Sequence, residues 1–298
     1  MATLYTHRES NIRKTWALIT IFLVLITTLG WVFSQIYGDR MIFFVVFAIS
    51  IIMSISSYWF SDKIVISRIG AREVSFQELP ELHRIVENLA ITAGLPKPKI
   101  YLVDTQQPNA FATGRNPEHA VVAVTSGLLR VMEKSELEGI LAHEMSHIGN
   151  RDMLVSTVVV VLVGVVQMLA DFFIRSSLWG GGNRNRKTHP AIILIGVALS
   201  ILAPLCAILI QLAVSRKREF LADATGALTT RYPEGLAHAL EKLANDHTPM
   251  RQASRATAHL WLDDPYQGKG KKTSWLTSLF MTHPPIEERI KRLRELHI

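Results

Sequence analysis

Residues 143–147 read His-Glu-Met-Ser-His. Two histidines four apart on a helix share one face and present two imidazoles to one point. That pair suits a divalent metal ion, and the neighbouring carboxylate of Glu144 suits proton transfer beside it. A match to this H-E-x-x-H pattern in a chain of this length has a chance probability on the order of 1%. The surroundings favour a helix. Ser135 and Glu138 have capping-box spacing, and Leu137, Ile140, Leu141 and Ile148 recur at helical spacing, with Met145 beside them.

Two imidazoles leave a metal short of a third protein ligand. Glu219-Phe-Leu-Ala-Asp223 offers one. Glu219 and Asp223 lie four apart on one helical face, and Ala222, Ala224, Gly226 and Ala227 are small enough for close helix approach. The expected assignment is His143, His147 and Glu219 as ligands of one Zn²⁺. Asp223 is expected to accept from the N–H of a ligand histidine. A surface pair of acids would show the same spacing. In the hydrolytic reading, Glu144 is the general base toward water and then the acid toward the leaving amine. An oxyanion needs a donor, and His283, in Thr282-His283-Pro284-Pro285, is one candidate. A histidine near a helix start also serves as a local polar contact. Ile286, Ile290 and Leu293 mark the buried stripe of the helix that follows.

These groups need a scaffold. The 298 residues carry a net charge of +7, and the mean hydropathy of +0.22 is concentrated in four apolar runs. The single cysteine, Cys206, excludes an intrachain disulfide framework and a cysteine metal site. No nucleic-acid motif is present, so the positive balance reads as membrane-flanking charge. Residues 1–60 are expected to form a transmembrane hairpin, with runs Trp16–Phe33 and Met41–Phe60; no small-x-small site suggests a cleaved leader. Arg8, Arg13 and Lys14 precede it and Lys63, Arg68 and Arg72 follow, whereas the link holds only Arg40 beside Asp39. The positive-inside rule therefore puts both flanks in the cytoplasm.

Residues 61–152 read as a peptidase core, with a helix over Gln77–Ala93, a strand over Lys99–Val103, and a hairpin of Asn109–Gly114 and Ala120–Thr125. A strand of Asn109, Ala110, Phe111, Ala112 and Thr113 beside the motif helix would let a peptide pair with it and lie across the metal; an ordinary edge strand is the alternative. Residues 153–214 hold two further apolar runs, Met153–Ala170 and Ala191–Val214, either spanning or buried as a re-entrant pair. Residues 215–298 complete the peptidase part. Within them, 247–280 has the composition of a flap. His83, His119, His238 and His259 lack ligand-like spacing, and His189 lies in the apolar-flanked loop. The fold class is α+β and mostly helical: four apolar helices and a small antiparallel sheet beside the motif helix.

The order and spacing of these motifs, with Arg289 after the Thr-His-Pro-Pro run, closely resemble the HtpX family, bacterial membrane zinc endopeptidases related to the CAAX prenyl endopeptidases. The resemblance implies the same three zinc ligands, Glu144 as catalyst, a substrate strand at Asn109–Thr113, and His283 and Arg289 near the oxyanion. It also implies a multi-pass protein of the cytoplasmic membrane, with its site facing the cytoplasm, that degrades misfolded membrane proteins and unfolded polypeptides. Self-cleavage between neighbours in the bilayer is a further expectation. A processing peptidase of the prenyl-protein type, or a membrane scaffold with a structural zinc, are the competing readings.

Overall fold

A computed structural model describes residues 4–163, 216–246, 248, 260–262 and 284–296. The fourth apolar run, the 171–190 loop, His283 and nearly all of 247–280 lie outside the described residues.

Helix α1 (Leu4–Tyr37) and helix α2 (Arg40–Trp59) form the hairpin expected at the start of the chain. Each contains a stretch long and apolar enough to cross a bilayer, Glu9–Gln35 and Arg40–Trp59, both with mean hydropathy 2.2. The turn uses Gly38 in the left-handed region and Asp39, whose carboxylate accepts from the Met41 N–H at 2.8 Å. The helices nearly touch at Gly30, where a Cβ would stand 2.6 Å from Val46 Cγ1. Their outer faces carry exposed Trp16, Val24, Trp31, Phe44, Ile52 and Trp59. A bilayer is the natural cover for such a surface.

A short helix α3 (Ser61–Ile69) leads into the core. Helix α4 spans Pro80–Ala93, three residues shorter than the apolar pattern suggests. Pro80 explains the difference: it suits the first helical turn but bars Leu79 before it from helical geometry. The sheet is also not purely antiparallel as expected. Its order is β1 (Arg72–Glu73), β2 (Lys99–Val103), β4 (Val121–Thr125), β3 (Ala110–Thr113). Strands β3 and β4 pair antiparallel, as the turn residues suggested, but β4 enters between β3 and β2 and runs parallel to β2. Helix α5 (Ser126–Val131) follows, its first turn closed by Thr125 Oγ1 accepting from Leu128 N–H.

Helix α6 (Lys134–Gly149) is the centre of the molecule. It starts one residue before Ser135, and its capping box is Glu133 with Glu136, not Ser135 with Glu138. The Glu136 carboxylate accepts from the Glu133 N–H at 2.7 Å and is braced by Lys242 at 2.7 Å. The stripe Leu137, Ile140, Leu141, Met145 and Ile148 is buried against α4, α9 (Pro233–Asn245) and α10 (Ile286–Arg294). After α6 the chain turns through Arg151, which adopts φ 56°, into α7 (Asp152–Val163), inclined 82° to α6. On α7, Leu154, Val158 and Leu162 pack on Ile19, Phe22 and Ile26 of α1. Helix α8 (Arg216–Thr230) crosses α6 backbone to backbone: a Cβ on Gly226 would lie 2.9 Å from the His143 nitrogen.

Candidate metal centre

The α6–α8 crossing brings together what the sequence keeps 76 positions apart. His143 Nε2 and His147 Nε2 stand 3.1 Å from each other. Glu219 faces both, with one oxygen 3.8 Å from His143 Nε2 and the other 3.6 Å from His147 Nε2. One donor atom from each residue lies within 4.8 Å of the others. His143 and Glu219 are buried, and His147 is the most open of the three, its side chain 15% exposed.

Hydrogen bonding fixes the tautomers. His143 Nδ1–H donates to Asp223 Oδ1 at 2.9 Å, and His147 Nδ1–H donates to Asp152 Oδ2 at 3.2 Å. With both Nδ1 atoms so engaged, the two Nε2 atoms face each other across 3.1 Å, a spacing that calls for a proton or a cation between them. Two imidazoles on a tetrahedral zinc sit about 3.3 Å apart, so the donor set and its spacing suit that ion.

Asp223 is held in turn by Arg289, which is fully buried. Its Nε donates to Oδ2 at 2.9 Å and its Nη2 to Oδ1 at 2.7 Å, a two-pronged pair. Burial pushes the Asp223 carboxyl up, but the charge and hydrogen bonds of Arg289, aided by His143, outweigh it and hold the group down at about 2. Arg289 itself is burdened by burial yet raised further by Asp223, Glu219 and Glu144. For metal-free His147, burial again opposes charge. The hydrogen bond to Asp152 and the charges of Glu219, Asp152 and Glu144 lift it to about 9. Glu144 is 3% exposed, and its charge acts on both His147 and Arg289.

Arg289 therefore supports the centre through Asp223. Asn109 is fully buried and turns its carbonyl to Thr125 N–H. The alternation then points the main-chain groups of Ala110 and Ala112 to the outer edge of β3. That edge is not wholly open: Leu262 N–H already donates to Ala110 O at 3.1 Å, with Trp261 edge-on to Phe111. Among the other histidines, His83 bonds Val74 O, His119 meets Arg115 and Asn116, and His238 pairs with Glu234, all on other parts of the fold. Asp152 escaped the sequence reading. Its signal is an acid five residues after His147, at the stop of the motif helix.

A buried His-His-Glu group with a second glutamate at hand, at the foot of an apolar hairpin, defines a class: the membrane-bound metallopeptidases. Comparison narrows it. The model of peptidase family M48 matches residues 77–297, and the chain belongs to that family. Curated relatives described as Protease HtpX homolog are 46% identical over 302 residues in Caldanaerobacter subterraneus, covering 99% of both chains. Another from Pyrococcus furiosus is 47% identical over 283 residues, covering 94% of this chain and 96% of that one. These identities establish the relation to HtpX that the motifs suggested. Among solved structures, the crystal structure of S. mikatae Ste24p shares the fold, with a TM-score of 0.52 at 19% identity over 97% of this chain and 67% of that one.

Proposed function

We propose that this chain is a zinc-dependent endopeptidase of the cytoplasmic membrane that hydrolyses misfolded or damaged membrane proteins on the cytoplasmic side. The convergence of His143, His147 and Glu219 beside buried Glu144 carries the reading. When bound, zinc supplies an acidified water and a Lewis acid toward the scissile carbonyl. His143, His147 and Glu219 hold the ion, one per chain. Glu144 takes the proton of the attacking water and returns it to the leaving amine. Asp223 and Asp152 keep both imidazoles in the tautomer that leaves Nε2 free. The outer edge of β3 at Ala112 offers main-chain groups to an extended substrate, which favours unfolded segments over folded ones.

Three protein ligands and a buried acid at the same place favour catalysis over a closed structural site. The basic flanks Arg13, Lys14, Lys63 and Arg68 lie at the peptidase end of the hairpin, which supports the cytoplasmic assignment. The test is metal content and cleavage of an unfolded casein by the purified full chain. Glu144→Gln is expected to keep zinc and lose cleavage by 10²-fold or more; Glu219→Ala is expected to lose both. Retained cleavage in Glu144→Gln would refute the reading.

A further inference from the structure

His143 is oriented from within the peptidase core, by Asp223 and Arg289. His147 is oriented differently. Its carboxylate partner, Asp152, stands where the chain bends into α7 and is 4% exposed. The oxygen of Asp152 that His147 does not use, Oδ1, accepts from Asn11 Nδ2 at 2.7 Å and lies 3.5 Å from Arg218 Nη1. Asn11 belongs to α1, the first membrane helix, and is 2% exposed. The same Nδ2 donates to Asn150 O at 3.1 Å, the residue that ends the motif helix. One amide thus ties the membrane helix to both the end of α6 and the carboxylate behind a metal ligand.

The residue type fits this task. A neutral amide donates without neutralising Asp152, so the carboxylate keeps its charge for the His147 ring. Aspartate there would set a like charge against Asp152. Leucine would leave the Asn150 carbonyl and one Asp152 bond without their donor in a buried place.

We propose that Asn11 is a positioning residue of the metal centre: its amide, carried by the membrane helix α1, orients His147 through Asp152. The proposal rests on the zinc-peptidase reading above and concerns how its second ligand is held. Loss of a partner behind a metal ligand characteristically weakens metal binding 10–100-fold.

The test uses the full chain in nanodiscs, loaded with zinc, and follows zinc release to a chelator together with thermal unfolding. Asn11→Leu is expected to release zinc at least tenfold faster while still melting cooperatively. Asn11→Asp, closer in shape, is expected to do the same and serves if the leucine variant does not fold. Phe22→Ala loosens the packing of α1 on α7 but leaves the amide in place. It is expected to lower the melting temperature and keep zinc release within about twofold of the native rate. Native release from a folded Asn11 variant, or a loss of zinc in Phe22→Ala matching that in the Asn11 variants, would overturn the proposal. Failure of the peptidase reading looks different: the native chain would then hold no stoichiometric zinc at all.

Discussion

At Asp223, burial and charge pull in opposite directions, and the outcome decides how the centre responds to acid. Its carboxyl, at about 2 in the folded chain, lies below its ordinary value of 3.8. A depressed carboxyl contributes stability that is complete above the ordinary value and is lost as pH falls through about 2. This pair therefore holds undiminished at pH 5 and above. Asp223→Ala takes from the buried Arg289 guanidinium its two-pronged partner, and such losses cost about 3–5 kcal/mol. The double change Asp223→Leu with Arg289→Met is expected to regain most of that in a denaturant titration, yet still to bind zinc at least tenfold more weakly, because His143 Nδ1 has lost its acceptor. His147 gives a second signature. Raised to about 9 without metal, it contributes stability to the metal-free protein that is full below 6.5 and lost as pH rises through 9. At pH 7 the metal has to displace that proton. Calorimetry in two buffers of different ionisation enthalpy is expected to show about one proton released per zinc from His147, and affinity that falls as pH drops.

Helix α6 was legible because its burial stripe is local and repeats at the helical period, and helix α8 because small residues follow Glu219 and Asp223. Strands β3 and β4 were legible from the turn between them. Their place in the sheet was not. Both are buried along their whole length, so no alternation marks one face, and the parallel pairing of β4 with β2 depends on contacts between distant segments. Asp152 and Asn11 were missed for a related reason. Their roles exist only through the 82° bend after α6 and the docking of α1 there, neither of which a local pattern contains. The α6–α8 crossing gives the prediction at this scale. Glu219, Asp223 and Gly226 follow one helical face, and Gly226 sets the separation. Gly226→Val puts a branched side chain where even Cβ would stand 2.9 Å from the His143 backbone. Overpacking of this kind costs about 1–3 kcal/mol. The displaced α8 carries Glu219 away, so zinc content of the folded variant is expected to fall with it; Gly226→Ala is expected to be milder in both.

On the scale of the whole molecule, α1 is longer than a membrane needs. Its 34 residues rise about 51 Å, against a hydrocarbon core of about 30 Å. The surplus lies at the peptidase end. Trp16 stacks on Tyr58 at 5.6 Å, Tyr58 meets Trp59, and Arg115 covers the Trp59 ring at 4.6 Å while donating to its carbonyl at 2.9 Å. Such a cluster of amphipathic rings marks the membrane interface. From Trp16 to Gln35 the helix rises about 28 Å, enough to reach the other face. Asn11 then sits about 7.5 Å beyond the belt on the side of the metal centre. The His143, His147 and Glu219 group thus stands within a few turns of helix of the interface belt, a placement that suits the proposed action on segments of membrane proteins. The proposed orientation rests on charge: Arg13, Lys14, Lys63 and Arg68 flank the belt, whereas the opposite turn carries Asp39 and Arg40. In a Cys206→Ala background, Arg40→Cys is expected to react with a membrane-impermeant maleimide in intact cells, and Glu81→Cys only after permeabilisation. The reverse pattern would turn the peptidase to the outside and would remove its access to cytoplasmic segments of its substrates.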